Sequence, residues 1–274
     1  MEWRKLKNII LLILVALNAA LALLIGGPAL SDHYRDIQAG REAVSFLEQK
    51  GILFGDTNLP NPEDLCAQKV EREREEEGRL ARKLLGEDAL QEARGGEVYR
   101  YTSDAGVVQF HSDGSFWAQL SPDAFPAGSD PQAAAIAVLE QLEFSGQTVM
   151  SEKSGDNTVT VRQVWNEAHL FNQQATVRWE RGSIMEITAG RRLYGTPVAD
   201  ETRRTITLAT ALIYFYNGLN RLGDVCSRVD EVTPGYLSTT SLTRQMELTP
   251  VWRITTDTGA YQLNLVNGEL ERVS

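Results

Sequence analysis

The order of apolar and polar positions divides the chain into segments of three kinds. Residues 9–25 are apolar at every position except Asn18. Such a run has no polar face to turn toward water, and as a helix rising about 1.5 Å per residue it reaches roughly 26 Å. With the small residues after it, that is enough to cross a hydrocarbon layer of about 30 Å. It predicts a single membrane-spanning helix.

Segments with a helical period follow. Residues 39–50 place Ala43, Val44, Phe46 and Leu47 on one side and stop at Gly51. Asn61-Pro62-Glu63-Asp64 has the order of a helix start, a cap followed by proline and two acids, and predicts a helix running to about Leu85. Asp130-Pro131 opens another, with Ala134, Val138, Leu139 and Leu142 on its buried side. A fourth spans residues 203–222, with Thr202 as its cap and Gly223 as its stop. Two adjacent faces of it are apolar, so a sheet must cover it.

Alternating, β-rich runs fill the intervals: residues 98–101, 107–110 and 115–120, then 147–150, 158–165, 175–180 and 183–188, and finally 225–231, 236–242, 251–256, 260–265 and 269–273. Asp104-Ala105-Gly106, Ser112-Asp113-Gly114, Asp156-Asn157 and Arg181-Gly182 are their turns. Two hairpins repeat one pattern, R-x-T-x-D-x-G, at Arg100 to Gly106 and at Arg253 to Gly259, each after an aromatic residue, Tyr99 or Trp252. The likeness continues through Val107-Val108-Gln109-Phe110 and Ala260-Tyr261-Gln262-Leu263. A duplicated meander, each copy packed on a preceding helix, accounts for it. Trp252 and Tyr261 then belong to a core, and the two arginines need only a structural role.

The expected class is therefore α+β: an N-terminal transmembrane helix followed by two extracytoplasmic lobes of helix packed on antiparallel sheet. Its divisions are a cytoplasmic tail (1–8), the span (9–25), one lobe (30–122) and a second (123–274). Arg4, Lys5 and Lys7 precede the span, and Asp32, Arg35 and Asp36 are the first charges after it, which orients the N-terminus to the cytoplasm. A cleaved signal peptide fits less well, because the small residues of a cleavage site, Ala20 and Ala22, lie inside the apolar run.

The formal net charge is −10, and the basic residues ahead of the span make the remainder more acidic still. Nucleic acid, anionic lipid and anionic wall polymers are disfavoured partners of such a surface. Cys66 and Cys226 are too few for a disulfide framework and read as separate thiols, with one long-range bridge as the alternative. His33, His111 and His169 lack metal-ligand spacing. The charged run Glu71 to Glu77 reads as a solvated helix face with i,i+4 pairs. No nucleophile elbow, zinc-protease, phosphate-loop or dinucleotide motif is present, and Glu167-Ala168-His169 lacks a nucleophile or metal beside it. The expectation is no enzyme, no catalytic residue, no metal and no cofactor.

Three stretches resemble the YycI/YycH family of membrane-anchored regulators of Gram-positive bacteria: M-E-W-R-K-L-K leading into the span, residues 211–225 with Val232-Thr233-Pro234-Gly235-Tyr236, and Pro250 to Ile254 with Tyr261 to Glu269. The last is also similar to PepSY-type modules. This resemblance implies a non-enzymatic accessory protein that binds a cell-wall-sensing histidine kinase of the WalK type, part of a two-component system, and pairs with a YycH-like accessory protein. The partners implied are then kinase, accessory protein and lipid bilayer, with the C-terminal part outside the cell. Asn18 is the candidate partner-binding residue, since an amide in hydrocarbon seeks a hydrogen bond on a neighbouring helix. Two other classes remain open: a PepSY-like protease-inhibitor or chaperone-type module, for which a free edge strand accepting a peptide is the signature, and a wall hydrolase with convergent carboxylates in a cleft.

Overall fold

A computed structural model describes residues 14, 35–55, 57–149, 157–240 and 245–273. The expected tail, the span and Asn18 lie outside these residues, apart from Leu14, which is helical. Among the described residues no helix is long and apolar enough to cross a membrane.

In chain order the elements are α1 (residues 35–49), a 3-10 turn at Pro62–Asp64, β1 (Gln68–Val70), α2 (Arg74–Leu85), β2 (Leu90–Ala93), β3 (Tyr99–Ser103), β4 (Gly106–Phe110) and β5 (Ser115–Leu120). Then come α3 (Pro131–Gln141), β6 (Gly146–Val149), β7 (Thr158–Trp165), β8 (Ala168–Glu180), β9 (Ser183–Arg191), β10 (Pro197–Ala199) and α4 (Leu208–Leu222). The chain closes with β11 (Val229–Thr240), β12 (Met246–Thr256), β13 (Gly259–Asn264) and β14 (Leu270–Val273).

Two separate lobes do not form. The 14 strands of the described residues belong to one sheet, whose main path runs β10-β1-β12-β11-β8-β9-β5-β4-β3-β2. It passes residue 122 without a break, since β5 pairs with β9. It is also not wholly antiparallel: β8 and β11 run parallel, joined at His169↔Gly235 and Leu170↔Tyr236. The burial that was expected to divide the chain instead lays separate cores along one surface.

Local departures have tertiary causes. Asn61 does cap a turn, accepting from Glu63 N at 3.3 Å, but the helix expected to Leu85 is interrupted by β1, whose backbone pairs with both β10 and β12. Two ladders outweigh helix propensity over three residues. The helix capped by Thr202 begins later, at Leu208, with Thr207 accepting from Thr210 N; Thr202 donates instead to Asp200. The two strands expected around Pro234-Gly235 are one strand, β11. Pro234 is tolerated because β8 flanks β11 only at Gly235 and Tyr236, leaving that side of the strand an edge.

The repeat is structural. Arg100↔Gln109 and Arg253↔Gln262 occupy the same register of two-residue hairpins closed at Ser103↔Gly106 and Thr256↔Gly259. The third strands, β5 and β14, follow in the same antiparallel order. The first copy shares a core with α2 and α3, including Leu80, Tyr101, Phe110 and Leu139. The second shares one with α1 and α4, including Leu47, Phe215, Trp252 and Tyr261. Gln173 shows that these cores lie on one side of the sheet. Its strand neighbours Ala175 and Val177 face the first core, while its Nε2 reaches Ser238 Oγ at 2.6 Å and Met246 Sδ beside the third cluster. That cluster includes Tyr236, which shares the face of Val232 in the second core.

Candidate functional site

The opposite face of the sheet carries no helix among the described residues, and strand alternation decides what stands on it. Val161 points into the first core, so Arg162 points away; Trp252 and Ile254 point into the second, so Arg253 points away. Between them lies Phe171 of β8. Its ring rests against Gly235, where a Cβ would come within 2.7 Å of Phe171 Cε2. A side chain at position 235 would displace the ring.

On this seat Phe171 gathers cations. The Arg253 guanidinium stands 4.5 Å from the ring centroid and that of Arg162 5.9 Å, and the His169 ring stacks at 6.0 Å with 23° between the planes. The Nε atoms of both arginines and Nδ1 of His169 are buried without a hydrogen-bond partner among the described residues. No carboxylate among the described residues forms an ion pair with either arginine. Glu231, the acid that acts on this cluster, accepts from Thr233 Oγ1 at 3.0 Å.

These positions shift the basic groups in one direction. Burial lowers the pKa of Arg162, and burial with the Arg162 charge lowers that of Arg253. Burial and then Arg162 hold the His169 imidazole below the usual histidine range, with Glu231 opposing and Arg253 adding to the effect. A stacked pair of guanidiniums beside a neutral imidazole is suited to receiving an anion. Nothing in it resembles a nucleophile with its base.

The duplicate arginine behaves alike. Arg100, on the same helix-free face, lies over Trp117 at 5.4 Å and also has an Nε without a partner among the described residues. The repeat therefore sets two arginine–aromatic stacks on one surface, a role its turn chemistry did not reveal. Phe171 was missed because its strand was expected to begin at residue 175.

Glu167 and His169 do not make an acid–base pair. Glu167 is exposed in the β7–β8 turn at a φ of 65°, while His169 belongs to the stack. Cys66 and Cys226 are both free; burial, with Asp257, pushes the Cys226 thiol up to about 11. The charged run is not simply solvated. Arg72 and Glu77 form a two-point ion pair at 2.8 and 2.8 Å beneath the surface, and Arg192 is buried beside Glu76 at 3.6 Å. Among the described residues no group of three or more metal-binding side chains could hold an ion.

No known family model matches the sequence, and no curated protein matches it. Among solved structures, an uncharacterized protein from Eubacterium rectale is similar with a TM-score of 0.46 and 13% identity, over 81% of this chain and 89% of that one. The Bacillus megaterium YpeB C-terminal domain is similar with a TM-score of 0.38 and 15% identity, over 75% of this chain and 99% of that one. Neither likeness carries a function to this chain.

Proposed function

We propose that the chain is a non-enzymatic accessory regulator, held in the membrane by residues 9–25 with its folded part outside the cytoplasm, that binds and modulates a sensor histidine kinase. The sequence resemblance to the YycI/YycH regulators supports the partner class, and a YycH-like accessory protein is the second partner it suggests. The observation that carries a binding role is the helix-free sheet face with its Arg253–Phe171–Arg162 stack. Arginine and aromatic side chains are the residues that dominate binding energy where two protein surfaces meet. Within the membrane, Asn18 contributes a hydrogen bond to a partner helix, worth about 0.6 to 2 kcal/mol.

The test is site-specific photo-crosslinking in intact membranes from Gln262 and Thr255, which share the exposed face of the second repeat. The expected product is the chain joined to a sensor kinase, with recovery reduced by Asn18→Leu. Absence of any kinase adduct from both positions sinks the reading.

A second reading is an extracytoplasmic PepSY-like protease-inhibitor or chaperone-type module that accepts a peptide strand. The edge strand β2 favours it: β2 pairs with β3 on one side and is exposed at all its residues, Leu90 to 76%. Crosslinks from Gln91 to unfolded clients, rather than from Gln262 to a kinase, would mark this case.

A further inference from the structure

We propose that the Arg253–Phe171–Arg162 stack is a carboxylate seat, which takes an aspartate or glutamate side chain on an acidic segment of a protein partner. This rests on the binding role above and names the chemistry of what is bound. Two guanidiniums share one ring without a counter-ion among the described residues, and their buried Nε atoms have no acceptor. Half-buried cations held close together, each with its Nε out of water, gain when an anion joins them. Their outer nitrogens, which donate no hydrogen bond among the described residues, are the donors left for a ligand. Both guanidiniums already lie over the ring, Arg253 at 4.5 Å and Arg162 at 5.9 Å from its centroid, so less side-chain freedom is lost when a carboxylate arrives.

The same donors suit a phosphate, and charge at longer range selects between the sources. The chain carries a net charge of −10, so an anionic membrane or wall polymer meets repulsion from most of the surface. A short segment presenting one or two carboxylates feels mainly the local arginine pair, within a screening length of about 8 Å. Thr233 and Gln262, the strand partners of Arg253, are neutral; the acid that acts on the cluster, Glu231, lies two residues along β11 and forms no ion pair with either arginine.

The experiment uses the full chain in detergent. A fluorescein-labelled peptide of glycine, serine and three glutamates is titrated by anisotropy, beside its glutamine counterpart, with inorganic phosphate and phosphatidylglycerol nanodiscs as competitors. The expected result is saturable binding at least ten-fold tighter for the glutamate peptide. Arg253→Gln and Arg162→Gln should each weaken it five-fold or more, with Arg181→Gln, in an exposed turn, as control. Phe171→Leu tests the platform, and unfolding midpoints confirm that each variant is folded. Equal affinity for both peptides overturns the proposal, as does stronger competition by phosphate or by the nanodiscs than by unlabelled glutamate peptide. Kinase crosslinking undiminished in both arginine variants removes the seat and leaves the regulatory reading. Peptide discrimination without any kinase adduct leaves the seat and removes that reading.

Discussion

The side-chain amide of Asn172 meets the backbone of Ser238 as a paired strand residue would. Its Nδ2 donates to Ser238 O at 2.7 Å, and Ser238 N donates to its Oδ1 at 2.9 Å. This contact lies where β8 and β11, joined directly at only two register positions, begin to part. A side chain thus extends the seam between the two halves of the sheet.

Asn172→Ala should therefore destabilise the protein by about 2–4 kcal/mol, since it leaves a buried donor and a buried acceptor unpaired together. The measurement is a urea unfolding midpoint on the full chain in detergent. A midpoint within error of the parent would show that water replaces the amide there and that the seam does not depend on it.

Arg72 and Glu77 give a second case. Their side chains are 8% and 2% exposed, and Arg72 also donates to Glu97 O at 2.8 Å. Glu77→Gln removes the two-point partner of the guanidinium and leaves only the Glu97 carboxylate, at 4.0 Å, so a loss of about 3 kcal/mol, the lower end for a broken buried pair, is expected. Replacing both partners by Met and Leu should recover most of that loss, because the desolvation cost of the pair disappears with it. If the double variant is no better than the single one, the pair stabilises beyond its own charges.

The contrast between these sites and the sequence shows what patterning can convey. The meanders, the Asp130 cap, the Gly223 stop and the repeated hairpin were legible because each is specified by residues a few positions apart. β1 was not, because only the strands on either side of it, distant in sequence, draw residues 68–70 out of a helix. The single sheet was not legible either. The parallel β8–β11 junction depends on Gly235 and Asn172, and neither residue type announces a strand partner. Of the candidate site, only Arg253 and His169 drew notice, the first as half of a repeat and the second in a doubtful acid–base pair. Phe171, which organises both, carries no local signal beyond its hydrophobicity.

The repeat allows a paired test. Gly78 of α2 and Gly218 of α4 sit on the corresponding helices, yet a Cβ at Gly78 would meet Tyr101 Oη at 3.4 Å, an ordinary contact, whereas one at Gly218 would come within 2.7 Å of Leu270 Cδ2. Alanine is favoured over glycine in a helix by about 0.5–1 kcal/mol. Gly78→Ala should raise the thermal midpoint by that much stability. Gly218→Ala should lower it, since overpacking of about 1–3 kcal/mol exceeds the helical gain. Equal shifts of the same sign for the two would mean that α4 can move off β14 without cost.

The His169 imidazole supplies a pH test of the stacked cluster. Because burial and Arg162 depress its folded pKa, there is a range below about 6.5, the ordinary value, in which the unfolded chain has bound a proton and the folded one has not. More protons on the unfolded state means that stability rises with pH across this range. Its contribution is therefore complete above about 6.5 and is lost progressively as the pH falls toward the folded pKa. His169→Gln cannot titrate, so its urea midpoint should decline less steeply than the parent's between about pH 6.5 and pH 5, at constant ionic strength. Arg162→Gln removes the larger of the two cationic influences and should return part of the lost stability at the lower end of that window. Parallel curves for parent and His169→Gln would mean that the imidazole takes up its proton equally in both states, and that the ring stacked on Phe171 is not held neutral by its neighbours.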